Sequence, residues 1–169
     1  MRKTKNKKIM EIIKNSDSKS PDNFRSRRKG IYFLTNLLTT GALFAGFYSI
    51  LMSFGGHYQS AAIALFVAMV FDGLDGRVAR LTNTQSEFGV QYDSLSDMVS
   101  FGIAPAIAAY GWGVNTLDQL GLACVFLYAS CAALRLARFN VAMGNSNSSD
   151  FTGLPSPVAA ALVAGFIWS

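Results

Sequence analysis

Cysteine and histidine are nearly missing from this chain, and strong bases are nearly missing from most of it. The two cysteines, Cys124 and Cys131, lie seven residues apart in one apolar stretch. On a single helix that spacing neither closes a disulfide nor assembles a tetrahedral zinc site, so both are expected to pack. The single histidine, His57, falls in the short polar stretch Gly55–Gln59 and is expected to be solvated rather than a ligand. Beyond residue 29 the only lysines or arginines are Arg77, Arg80, Arg135 and Arg138. No folded basic surface accompanies the basic N-terminus, which argues against nucleic acid as a partner. A small-residue cleavage site after a short apolar core is also lacking, which argues against a secretory signal peptide.

What is present is apolar surface, at 51% hydrophobic residues, arranged in long runs. The length of 169 residues suits one folded domain. Residues 1–29 are expected to form a basic cytoplasmic tail, with a short amphipathic helix over Lys8–Lys14 and a flexible linker over Ser16–Asn23. A basic tail ahead of an apolar run marks the cytoplasmic side and attracts anionic lipid. Residues 30–169 are expected to form an all-α, polytopic transmembrane helical bundle. Its helices are predicted over Ile31–Phe54, Ser60–Leu81, Phe88–Trp112 and Leu117–Ala142, with a fifth beginning at Pro155. Pro105 is expected to bend the third. The fifth run ends without a polar terminus, so the chain is expected to be truncated after the start of that helix. Alternation across the bilayer from an inside tail brings Asp72 to Asp97, Arg135, Arg138 and the GLPSP segment to one face, the cytoplasmic one.

Within this apolar chain the stretch Phe71–Gly102 holds four aspartates. Asp72 and Asp75 are three apart, Asp93 and Asp97 four apart, so on helices each pair shares a face. Ionisable groups in apolar segments are costly and usually functional. Acids with no matching number of nearby cations call for a positive charge between them, and hard oxygen ligands suit Mg²⁺ or Mn²⁺. Asp72, Gly76 and Arg80 follow one helical stripe with Asp75 and Ala79 beside it. The small residues leave a trough, and the Arg80 guanidinium suits phosphate oxygens. Gly89 precedes Asp93 by one turn and leaves a second gap. Together these point to metal-dependent phosphotransfer. Upstream, Asn36 and Thr39 share one face near the same end of the first helix. They either hydrogen-bond a nucleotide or, for the threonine, bond back onto the helix.

The pattern Asp72-x-x-Asp75-Gly76-x-x-Ala79-Arg80, eight residues, then Gly89-x-x-x-Asp93-x-x-x-Asp97 resembles the signature of the CDP-alcohol phosphatidyltransferases at every position. The resemblance implies that Asp72, Asp75 and Asp93 bind one or two divalent cations, with Asp97 close to the metals and acting as general base. It also implies that Gly76, Ala79, Arg80 and Gly89 border the CDP moiety, along with Asn36, Thr39 and Asp72. LTNLLTTGALFAGF is similar to the first membrane helix of the phosphatidylserine synthases within that family, with Thr35 in place of a usual proline and Ala42 in place of a usual asparagine. YDSLSDMVSFGIAPA, RLARFN and FTGLPSP extend the likeness. Arg135, Arg138 and Asn140 would then contact the acceptor or a phosphate, although arginines at that end also serve as membrane anchors.

The implied reaction is CDP-diacylglycerol plus L-serine giving phosphatidylserine plus CMP, in a homodimer of the inner membrane with at least six helices per protomer and the site facing the cytoplasm. Glycerol phosphate and inositol phosphate are the alternative acceptors within the family. A phosphorylated acceptor would demand more cationic residues than this body offers. A divalent-cation transporter is the alternative outside it, and there Arg80 would repel the cargo.

Overall fold

The computed structural model describes residues 21–82, 86–144 and 155–169, with side chains from Leu34 onward except at Ala79, Arg80 and residues 142–144. The amphipathic helix expected over Lys8–Lys14 lies outside the described residues. Among the described residues six α-helices follow one another: α1 (Pro21–Phe54), α2 (Tyr58–Thr82), α3 (Glu87–Asp97), α4 (Ala104–Trp112), α5 (Asp118–Gly144) and α6 (Ser156–Trp168). A π-helical turn, Met98–Ile103, joins α3 to α4, so the two form one interrupted rod, and a 3₁₀ turn, Val114–Leu117, precedes α5. Among the described residues there is no strand, in keeping with the all-α expectation.

Each break has a local cause. Helix α1 stops at two glycines, with Gly56 at φ 74°, where the left-handed conformation costs least. The His57 N–H then bonds the Met52 carbonyl at 2.9 Å and closes the turn. Helix α3 starts on Ser86, whose hydroxyl accepts the Gly89 N–H at 3.0 Å. Two expectations need correction. The linker over Ser16–Asn23 is helical from Pro21 on, so α1 begins ahead of its apolar run. Proline is at home in a first turn, and arginine and lysine are good helix formers, so hydropathy did not mark the helix end. The third rod is interrupted by a π turn just before Pro105, rather than bent at the proline alone.

Two helical stretches among the described residues, Leu34–Phe54 and Val114–Val141, are long and apolar enough to cross a membrane, with mean hydropathies of 1.6 and 1.8. Helix α2 is of similar length, but its last turns carry Asp72, Asp75, Arg77 and Arg80. The bundle closes on small residues. Ala61, Ala62, Leu65, Ala104, Ala108, Ala164 and Ile167 form one buried cluster, and Ala45, Ala68, Phe101 and Ala160 form another. Alanine seams let helix backbones approach closely, which is how helices associate where the surroundings are as apolar as the side chains. Large apolar groups point outward instead, among them Phe44, Leu120, Phe126, Leu134 and Phe166.

Helix α1 and the π turn approach closely at Gly46. A Cβ added at Gly46 would sit 2.7 Å from the Ser100 Cα, nearer than packed atoms tolerate. Gly46→Val should therefore lower the melting temperature by roughly 5 °C or more through overpacking. A thermal-shift measurement in detergent checks this, and an unchanged midpoint would contradict the contact.

Candidate active site

Helices α2 and α3 meet at one end of the bundle, and their facing turns are acidic. Carboxylate oxygens of Asp72, Asp75 and Asp93 all lie within 4.8 Å of one another. The fourth acid, Asp97, is one turn beyond Asp93, and its carboxyl is in hydrogen-bonding contact with that of Asp72. Asp72 is thus common to both groupings. Asp75 is 6% exposed and the other three are half-buried.

Helix α1 ties the two acid-bearing helices together. The Thr39 hydroxyl donates to Asp75 Oδ2 at 2.8 Å and lies 3.0 Å from the Thr35 carbonyl. The Thr39 carbonyl in turn accepts from the Ser96 hydroxyl at 3.2 Å, next to Asp97. One turn on, the Ser100 hydroxyl donates to the Ala42 carbonyl at 3.1 Å. Both serines are buried, so each hydroxyl needs a partner, and each finds a carbonyl of α1. The spacing of Ser96 and Ser100, one helical turn apart, was a sequence signal for this seam that the aspartates overshadowed.

Three carboxylates this close repel by about 3 kcal/mol a pair at an effective dielectric of 20. Among the described residues their partners are each other, Thr39 and the backbone of Gly76, with no lysine or arginine. Oxygen-only donors, converging with no cation among their described partners, fit a hard divalent cation. Beside them is room: a Cβ at Gly76 would meet nothing within 4 Å.

The other expected site residues fall around this end. Gly89 sits beside Asn36, whose Oδ1 would be 3.9 Å from an added Cβ. Thr39 is buried, and its hydroxyl is engaged with Asp75. Thr40, not anticipated, bonds the Asn36 carbonyl at 2.7 Å and is 2.9 Å from the Tyr92 hydroxyl on α3. Gly76 and Gly89 flank the acids, while the side chains of Ala79 and Arg80 lie outside the described residues. Asn140 reaches α3, where its Oδ1 accepts from the Ser94 hydroxyl at 3.0 Å. Arg135 turns to α6 and donates to the Ser156 hydroxyl at 2.7 Å, and Arg138 is exposed. Asp72, Asp75 and Asp93 therefore converge, Asn140 bonds α3 at the residue after Asp93, and Arg135 bonds α6.

The sequence that builds this site has known relatives. The sequence model of the family described as CDP-alcohol phosphatidyltransferase matches residues 32–169, and the chain belongs to that family. It is 41% identical over 133 residues to the CDP-diacylglycerol–serine O-phosphatidyltransferase of Helicobacter pylori (strain 26695), covering 79% of this chain and 56% of that protein. It is 42% identical over 135 residues to the archaetidylserine synthase of Methanothermobacter thermautotrophicus, covering 79% and 57%. Against the CDP-diacylglycerol–serine O-phosphatidyltransferase of Saccharomyces cerevisiae the identity is 41% over 139 residues, covering 74% and 50%. The chain spans about half the length of these relatives.

Proposed function

We propose that this chain carries the catalytic half of an integral membrane enzyme that transfers the phosphatidyl group of CDP-diacylglycerol to L-serine, releasing CMP. The observation that carries the reading is the convergence of Asp72, Asp75 and Asp93 within 4.8 Å, with Asp97 against Asp72. Serine as the acceptor is supported by the names of the similar proteins, which are serine transferases or an archaetidylserine synthase.

Asp72, Asp75 and Asp93 would hold one or two divalent cations, Mg²⁺ or Mn²⁺. Such a cation, when bound, supplies positive charge to the diphosphate and the departing nucleotide. The protein's own part is positioning and proton transfer. Asp97 accepts the hydroxyl proton of serine as the serine oxygen bonds to the β-phosphorus that bears diacylglycerol. The bond from that phosphorus to the bridging oxygen breaks, and its electron pair leaves with CMP. Gly76 gives the nucleotide room beside α2, and Gly89 and Asn36 border it from α3 and α1. Asn140, held against Ser94, presents a polar group near the acceptor side. The donor's acyl chains need an apolar exit, and the exposed apolar flanks of the bundle offer one. The same reading puts the acidic end and the basic N-terminus at the cytoplasmic face of the inner membrane, in a multi-pass protein that functions as a homodimer.

The test is CMP release from CDP-diacylglycerol in mixed micelles, with serine, glycerol 3-phosphate and inositol 1-phosphate as acceptors. Release is expected with serine, to depend on Mg²⁺ or Mn²⁺, and to stop when the metal is chelated. Release with glycerol 3-phosphate but not with serine would overturn the choice of acceptor. Metal-independent release would overturn the role of the three acids.

A further inference from the structure

The proposed mechanism leaves the π turn unused, although it begins at the residue after Asp97. A π turn closes hydrogen bonds to the residue five back, and here the Ala104 N–H bonds the Val99 carbonyl. Compared with an unbroken helix, the extra residue rotates α3 by about 100° relative to α4. Helix α4 is firmly packed: Ala104 and Ala108 are fully buried against Ala61, Ala62 and Leu65. The direction in which Asp97 points from that anchored half is therefore set by whether the turn holds its π form.

Two features bear on this. Pro105 has no N–H, so it leaves the Phe101 carbonyl, four residues back, without the bond that a regular helix would give it. The Tyr128 hydroxyl on α5 donates to that same carbonyl at 2.9 Å. Tyr128 is half-buried on a helix of which little is fully buried, 6% of its apolar stretch. A phenol at that depth has little water to bond, and an orphaned carbonyl has equally little, so each satisfies the other. On the opposite side the serine seam fixes the turn to α1. The π turn is thus held from both flanks, and Tyr128 is the hold on the α5 side.

We infer that Tyr128 is a positioning residue for Asp97: its bond to the Phe101 carbonyl keeps the π turn that aims the acid at the reaction centre. The inference rests on the proposed serine transfer. Tyr128→Phe removes the hydroxyl and keeps the ring. It should lower kcat about tenfold or more, since small displacements of a reacting group are costly, while KM for CDP-diacylglycerol stays within about twofold. Tyr110→Phe, on the exposed flank of α4, should leave both unchanged. Adding Pro105→Ala to Tyr128→Phe returns an N–H to the Phe101 carbonyl. The double variant should recover the melting temperature lost in Tyr128→Phe but not its kcat, because the restored bond favours a regular helix over the π turn. Recovery of both together, or a Tyr128→Phe kcat within twofold of the unsubstituted enzyme, would overturn the proposal. Hydrogen exchange over residues 97–104 examines the same contact without reference to turnover. Tyr128→Phe should raise exchange there, and an unchanged pattern overturns the inference whichever alcohol proves to be the acceptor. Failure of the unsubstituted protein to release CMP with any acceptor would instead overturn the reaction.

Discussion

Asp97→Asn should lower turnover by about 10²–10⁴-fold, the range that a lost general base commands. Asparagine keeps the shape and can still hydrogen-bond Asp72, the neighbour that Asp97 contacts in the structure. What it loses is the ability to take a proton. An alcohol is far too weakly acidic to ionise alone at neutral pH, so attack on phosphorus without a proton acceptor becomes the slow step. Binding of the liponucleotide should change by less than about threefold, because the three converging acids are untouched. The measurement is CMP release at saturating substrate, paired with calorimetric titration of a CDP compound in the presence of Mg²⁺. A metal titration of the residual activity separates the two roles open to this acid. If Asp97 acts as base, half-saturation by metal stays where it was. If Asp97 is chiefly a ligand, the curve moves to higher metal and activity returns at the top of it. Near-normal turnover in Asp97→Asn would remove the base assignment altogether.

How much of this was legible in the sequence varies residue by residue. The acid-bearing helices were legible because two kinds of signal agree there: apolar runs bounded by glycine and polar residues, and aspartates at helical spacing inside them. The predicted second helix, Ser60–Leu81, differs from α2 by two residues at one end and one at the other. The meeting of Asp72, Asp75 and Asp93 followed from the requirement that charges in apolar segments find partners. The π turn was not legible, because π and α helices differ by one step in hydrogen-bond register and share the same residue preferences. Pro105 carried half of that signal, and its other half is Tyr128, distant in sequence and unremarkable until α5 packs against the rod. Thr39 was legible as polar and near the site but not as the partner of Asp75, since a helical threonine can bond its own backbone, and the Thr35 carbonyl is within reach here too. The start of α1 was misplaced because the boundary of an apolar run is set by the bilayer, whereas the boundary of a helix is set by propensity and capping.

Asp75→Asn should be the most damaging change among the acids on α2, with turnover falling about 10³-fold or more, since a missing ligand disturbs both the metal and the charge it supplies. Asp75 is the least exposed of the four and, among the described residues, the only one braced by a hydroxyl from α1. Removing its charge leaves two acids where three had converged, so affinity for Mg²⁺ and for the diphosphate should fall together. Raising the metal concentration should not restore the rate. Thr39→Val supplies the contrast. Valine matches threonine in shape but cannot donate, so Asp75 keeps its charge and loses the bond that fixes its rotamer. Partners that orient a metal ligand are typically worth 10–100-fold in metal affinity, so half-saturation should rise by about that factor. At high metal the maximal rate of Thr39→Val should approach that of the unsubstituted enzyme, because every ligand is still present. Metal titrations of the two variants side by side therefore distinguish a ligand from its brace. If Thr39→Val and Asp75→Asn respond to metal alike, either Asp75 is not a ligand or Thr39 does more than orient it, and the order of the site from α1 to acid to metal would have to be redrawn.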